Sequence, residues 1–267
     1  MRRLLHLSAL VAVGLVAAGC THESGAAREI RLPPTTGAFD YQLGGGYAPS
    51  ADVTVVTRDS TDKPAPGVYS ICYVNGLQTQ PGEEWPSSLI LHESNGDPLV
   101  DPGWPDEHLI DTSTAAKRAA AAQRQAATVA SCAANGFDAV EFDNLDSWTR
   151  SAGQLTEADA VAFATLLTRA AHAAGLAAAQ KNTAELASVG ATDVGFDFAT
   201  TEECDRFDEC DVFTAAYGDR VLDIEYTDDL RGDFDAVCSR SSTPAQTILR
   251  DRDLVPRGSA GYVYDSC

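Results

Sequence analysis

FDAVEFDNLDSW, residues 137–148, reads as a buried strand that ends in a burst of acids. Alternate residues of a strand share a face. Ala139, Glu141 and Asp143 therefore fall on one side, and Val140 and Phe142 on the other. The second side suits packing against helices. The first carries two carboxylates to the C-terminal tip, with Asn144 and Asp146 in the loop beyond. Acids at a strand tip are costly to desolvate unless they are paired or used. This tip is the first candidate for chemistry.

Around it, short β-rich runs alternate with helical ones. FDYQL (39–43), VTVVT (53–57), VYSICYV (68–74), LIDTS (109–113), LAAAQKN (176–182), FDFATTEE (196–203), VLDIEYTD (221–228) and TILRDR (247–252) bring the strand candidates to nine. Residues 115–134 are alanine-rich and predict a helix. Thr156 with Asp159 is a helix-start signal for a second one, running to about Ala174 before Gly175. Alternating strands and helices imply a parallel β/α architecture. The length suits one α/β domain, a (β/α)8 TIM-type barrel over residues 37–267. A doubly wound open sheet is the alternative. GGG at 44–46 lacks the GxGxxG spacing and no helix pattern follows it, which counts against a dinucleotide fold.

Polar residues gather at the C-terminal ends of several runs: Gln42, Tyr73, Glu141, Asp143, Asn144, Asp146, Lys181, Asn182, Glu202, Glu203, Glu225 and Tyr226. In a barrel these ends meet at one rim, where barrel active sites sit. Two carboxylates from different tips are what glycoside hydrolysis needs, one to protonate the leaving oxygen and one to act as nucleophile or base. Asp143 with Glu202 or Glu203 is the natural pair. Trp85, Trp104 and Trp148, in expected loops, offer faces for sugar rings. A serine triad is poorly supported, since there is no GxSxG and His172 sits in a helical pattern. HExxH is absent, and DNLD lacks the spacing and glycine of a calcium loop, so no metal and no cofactor is expected.

The 39 acids against 19 bases, net charge −20, exclude a nucleic-acid binder and favour a neutral or cationic partner. Met1-Arg2-Arg3, the apolar run Leu4–Ala18 and Gly19-Cys20 read as a lipoprotein-type signal peptide over residues 1–19. Cys20 would then carry lipid, and a flexible tether would span 20–36. Loss of Arg2 and Arg3 with the signal takes the charge from −20 to −22. The chain is expected to be secreted or anchored outside the cytoplasm by that lipid alone, and to be a monomer. Setting Cys20 aside leaves six cysteines, which suggest three disulfides. Cys204 with Cys210, Cys238 with Cys267 and Cys72 with Cys132 is the preferred set among fifteen possible pairings.

Read in order, YQL (41–43), ICY (71–73), WPDEHLID (104–111), GFDAVEFDNLD (136–146), AHAAGL (171–176), QKN (180–182), FDFATTEECDRFDEC (196–210), EY (225–226) and ILRDRDL (248–254) resemble glycoside hydrolase family 114, the endo-α-1,4-polygalactosaminidase-like barrels. The resemblance covers about Phe39 to Cys267. It implies cleavage of α-1,4-linked galactosamine or N-acetylgalactosamine polymers, such as those of microbial exopolysaccharide and biofilm matrices, with Asp143 and Glu202 as catalytic acids. Asp143 is preferred as nucleophile and Glu202 as acid/base. Strict alternation from Phe196 and Phe198, if both face the helices, would instead turn Glu203 inward. Phe39 and Tyr41 stand near the place where the family has a tryptophan before its Gln-Leu pair, so the sugar-contacting shell is expected to differ. A non-catalytic exopolysaccharide-binding lipoprotein on the same barrel is the alternative. Intact carboxylates at both tips stand against it.

Overall fold

Eight strands run parallel and in chain order around a barrel: β1 (Ala38–Gln42), β2 (Val53–Asp59), β3 (Tyr69–Asn75), β4 (Ala139–Asp143), β5 (Ala177–Lys181), β6 (Phe198–Glu202), β7 (Val221–Tyr226) and β8 (Gln246–Arg250). A ninth, β9 (Tyr264–Ser266), pairs antiparallel with β8. The computed structural model describes residues 29–267. The expected signal peptide and Cys20 lie outside the described residues. The TIM-type barrel is borne out, with one correction. LIDTS (109–113) is not a barrel strand; Leu109 and Ile110 make only isolated antiparallel bridges, to Gln78 and Ile90. They lie in the long excursion between β3 and the first helix, where they pin loop to loop.

The helical shell is incomplete. Helix α1 (Ala115–Asn135) follows β3, and α2 (Glu157–Ala173) follows β4. A short α3 (Ala187–Val189) lies between β5 and β6, α4 (Cys210–Tyr217) after β6 and α5 (Phe234–Cys238) after β7. Only loops join β1 to β2 and β2 to β3. The two long helices form where their caps say they should. Thr114 caps α1 by accepting from the Lys117 amide, and left-handed Gly136 ends it. Thr156 and Asp159 make a reciprocal capping box on α2.

Two apolar layers share the strands. Val140 and Phe142 of β4 pack outward with Phe163, Leu167 and Val129 of the helices. Ala139 faces the barrel interior, with Tyr41, Ile71, Ala179, Phe198 and Ile224. All three disulfides form as expected, Cys72–Cys132, Cys204–Cys210 and Cys238–Cys267. The first ties β3 to α1 and the last ties α5 to the C-terminus. Of the segment expected as a tether, residues 29–36 lie against the end of the barrel opposite the rim. Ile30 packs on the interior cluster, Arg31 pairs with Asp138 at 2.6 Å, and the Tyr69 hydroxyl donates to the Arg31 carbonyl at 2.7 Å.

The seam between β8 and β1 is closed by side chains. β9 occupies the β8 edge, so the carbonyls of β1 need other donors. Arg250, fully buried, donates to the Tyr41 carbonyl and pairs with Asp40 at 3.4 Å. It also donates to the carbonyls of Val263 (3.0 Å) and Val255 (3.1 Å). Gln246 reaches the Gly37 carbonyl at 3.0 Å and Tyr264 that of Phe39 at 2.8 Å. Arg250→Met would orphan these acceptors and leave Asp40 buried without its cation. A loss of about 3–5 kcal/mol is expected from such a change, read as a lowered urea midpoint; an unchanged midpoint would show that the seam does not depend on Arg250.

Candidate active site

Three adjacent strands deliver one inward side chain each to the rim: Asp143 from β4, Lys181 from β5 and Glu202 from β6. The backbone turns left-handed directly after each of them. Asn144 has φ 61°, Asn182 φ 48°, Thr183 φ 63° and Glu203 φ 62°. Asparagine tolerates this region, whereas Thr and Glu hold it at a strain of about 1–3 kcal/mol each. The abrupt turn takes the backbone away and leaves the last strand residue at the lip of the barrel.

Lys181 is the hub. Its ammonium is fully buried and lies 3.0 Å from Glu202 Oε2, 3.5 Å from Asp143 Oδ2 and 3.9 Å from Glu141 Oε1. Burial opposes that charge, but Asp143, Glu202 and Glu141 together push the lysine pKa up, so it stays protonated. Each carboxylate has further donors. The Tyr73 hydroxyl donates to Asp143 Oδ2 at 2.7 Å, and the Asn144 amide to Asp143 Oδ1 at 2.7 Å. The Tyr226 hydroxyl donates to Glu202 Oε1. Asn182 gives its Nδ2 to Glu202 Oε2 at 3.1 Å and takes the Glu202 amide on Oδ1 at 2.7 Å. The Tyr41 hydroxyl donates to Glu141 Oε1 at 2.7 Å.

These contacts separate the acids. Burial pushes Glu202 up, but Lys181, Tyr226 and Asn182 outweigh it and hold the carboxyl below its ordinary range. Glu141 lies deeper and shares the same lysine at longer reach. Burial wins there over Lys181 and Tyr41, with Asp143 adding repulsion, and raises it to about 7. Burial, reinforced by the nearby carboxylates, keeps Tyr41, Tyr73 and Tyr226 neutral donors.

The rim opens into a cleft of about 720 Å³. Of the residues expected there, Tyr73, Asp143, Asn144, Asp146, Lys181, Asn182, Glu202 and Tyr226 line it. Glu141 lies beneath it, fully buried, and meets it only through Lys181. Three others are not brought in. Gln42 is buried on the outer face of β1, accepting from Arg58 and the Tyr47 amide and donating to Asp40. Glu225 is buried on the outer face of β7, where its Oε1 accepts the Asp205 amide at 2.8 Å. Glu203 turns away and pairs with Arg252 at 2.7 Å. Phe196 packs toward the helices but Phe198 fills the barrel interior, so the two do not share a face. Counting from Phe198 puts Thr200 and then Glu202 inward.

Sequence reasoning did not single out Asn75, Asp101, Glu107, Arg150 and Arg252, though Asp101, Glu107, Arg150 and Arg252 line the cleft. Asn75 and Glu107 touch the site through side-chain bonds, and Arg252 stacks 4.1 Å above the Tyr226 ring. Trp104 lines the cleft and is 65% exposed, whereas Trp85 and Trp148 pack against the core. Cys204, Cys210 and Asp223 lie close enough to suggest a metal cluster, but both thiols are spent in a disulfide.

The profile of glycoside-hydrolase family GH114 matches residues 20–267. The chain belongs to glycoside hydrolase family GH114. This GH114 chain is therefore a glycoside hydrolase, and the acid-lined rim is where such chemistry belongs on a barrel. Its fold is also that of solved structures. The complex of Aspergillus fumigatus Ega3 with galactosamine matches with a TM-score of 0.72 and 20% identity, over 90% of this chain and 98% of that one. The glycoside hydrolase domain of PelA from Pseudomonas aeruginosa matches with a TM-score of 0.54 and 15% identity, over 85% and 98%. No curated protein sequence matches the GH114 chain.

Replacing Lys181 by Met should remove the cation that three carboxylates share. Burial and repulsion from Asp143 would then raise Glu202 above the ordinary carboxylate range. Carbon-13 NMR titration of the glutamate side chains reads this directly. A Glu202 that titrates as in the wild type would show that Lys181 does not set its charge.

Proposed function

We propose that the chain is an extracytoplasmic, retaining glycosidase that cleaves α-1,4-linked galactosamine or N-acetylgalactosamine polymers with Asp143 and Glu202. The observation that carries the pair is the shared lysine. One ammonium within 3.0 and 3.5 Å of the two carboxylates keeps their facing oxygens no more than about 6.5 Å apart. That bound is compatible with the spacing of about 5–5.5 Å used for direct attack. Asp143 is fixed between Tyr73, Lys181 and the Asn144 amide, as a nucleophile must be to meet the anomeric carbon. Glu202 is the more open of the two, its side chain 28% exposed against 19%. A group that serves the leaving oxygen and then a water needs that access. Lys181, Tyr226 and Asn182 hold Glu202 ionised, the form required of the base in the second step; as acid in the first step it must take up a proton as the sugar binds and displaces those donors.

The substrate class rests on family membership and on the galactosamine named in the Ega3 complex. The net charge of −20 agrees with it, because an acidic protein gathers a polymer of ammonium-bearing sugars. Three disulfides agree with an oxidising compartment. Action as a monomer, with attachment through lipid on Cys20, completes the proposal; that residue lies outside the described ones.

Asp143→Asn and Glu202→Gln should each lower hydrolysis of purified galactosamine-rich polymer by at least about 10²–10⁴-fold. Full activity in either variant sinks the pair. Aryl glycosides with a good leaving group separate the roles. Glu202→Gln should recover activity on them and respond to added azide, since a good leaving group does not need the acid. Recovery in Asp143→Asn instead would exchange the two assignments.

A further inference from the structure

Glu107 is a cleft residue that the carboxylate chemistry does not use. It reaches the site from the excursion between β3 and α1, where its amide donates to the Trp104 carbonyl at 2.9 Å. The residue is 9% exposed. Its Oε2 accepts from Asn75 Nδ2 at 2.6 Å, and Asn75 Oδ1 accepts from Asn144 Nδ2 at 2.7 Å. Asn144 is the neighbour of Asp143, so the carboxyl is registered to the catalytic strand tip through two amides.

The other half-buried or buried acids of this cleft have cations. Asp143 and Glu202 share Lys181, and Asp101 and Asp146 share Arg150. Among the described residues Glu107 has no ion pair, although it lines the same space. Its charged neighbours are mostly of its own sign. Burial raises it to about 7, with Asp143 and Asp101 adding to the rise and Asn75 and Arg150 opposing it. A buried carboxyl held at a cleft wall without a cation destabilises the empty protein and attracts a positive group from the ligand. Hydroxyls would not answer this need, since a neutral donor leaves the charge unpaired. An ammonium does.

We propose that Glu107 receives the free 2-amino group of a galactosamine unit and so sets a preference for deacetylated over N-acetylated stretches of the polymer. The inference rests on the substrate class proposed above and goes beyond it to the residue that reads the amine. An N-acetyl group there would bring no charge and would bury the Glu107 carboxylate further from water.

The test uses Glu202→Gln to bind without turnover, titrated calorimetrically with an α-1,4-linked galactosamine tetramer and with its N-acetylated counterpart. Adding Glu107→Gln, which keeps an acceptor for Asn75, should weaken the galactosamine tetramer by at least about tenfold, equivalent to about 1.4 kcal/mol. The N-acetylated tetramer should change by less than about threefold. Adding Glu107→Asp in its place keeps the charge and should retain part of the amine preference, which a merely structural loss would not. Equal changes on the two tetramers, or none, overturn the assignment of Glu107 and leave the glycosidase reading intact. If neither tetramer binds Glu202→Gln and the wild type cleaves neither, the substrate class falls and the role of Glu107 falls with it.

Discussion

One buried ammonium holds this site together. Lys181 is the cation on which Asp143, Glu141 and Glu202 converge. Removing such a charge from water is expensive, and the cost is offset only because three carboxylates meet it. The reverse is equally true. Three acids from adjacent strand positions could not all lie at the end of a barrel without it. The hierarchy of distances then grades the acids. Glu202, nearest, stays ionised; Glu141, farthest and deepest, gives way and titrates near neutrality. Tyrosines complete the arrangement because burial among carboxylates fixes them as neutral donors, one to each acid.

Sheet register makes that convergence possible. Phe142 lies beside Gln180, so Asp143 and Lys181 end their strands side by side. Lys181 in turn lies beside Thr200, which sets Glu202 one inward position nearer the rim. A side chain as long as lysine is needed to climb that step and bring its ammonium over the rings of Tyr41 and Tyr73. A register shift of one residue would turn every one of these groups to the helix layer. The left-handed turns at Asn144, Asn182 and Glu203 belong to the same requirement, because they end each strand at the residue that must remain at the lip.

Much of this was legible, for reasons that also explain what was not. β4 could be read because Val140 and Phe142 against Glu141 and Asp143 is an unambiguous alternation. The capped helices announced themselves through Thr114, Thr156 and Gly136. Gln42 and Glu225 stand at strand tips in the sequence, but tip position alone does not say which face a residue occupies. Tyr41 and Gln42 are neighbours in one strand, as are Glu225 and Tyr226, and neighbours point to opposite sides. Alternation would have kept Tyr41 and Tyr226 and dropped the other two. An inward Glu203 requires that Phe196 and Phe198 share a face. Phe196 precedes the strand, next to left-handed Gly195, so the period of two does not extend to it. Glu107 had no periodic signal, since its position follows from bridges between loop segments such as Gln78 with Leu109.

The incompleteness of the helical shell fits this division of labour. The strands that carry acid and lysine, β4 to β6, are backed by α1 and α2 and by disulfides at β3–α1 and at the start of α4. Strained turns and a buried ion cluster need such backing, because rigid packing is what prevents them from relaxing. β1 and β2 carry no comparable strain at their tips and are joined by loops alone. The barrel is still closed there, because Arg250, Gln246 and Tyr264 supply the donors that a regular β8–β1 ladder would have given. Rigidity is concentrated behind the tips that carry Asp143, Lys181 and Glu202. The side of the cleft that follows β3 is instead built from loops, those carrying Gln80, Trp104 and Glu107 among them. Loops can change a contact without moving Asp143 and Glu202, so the specificity role proposed for Glu107 suits its place there.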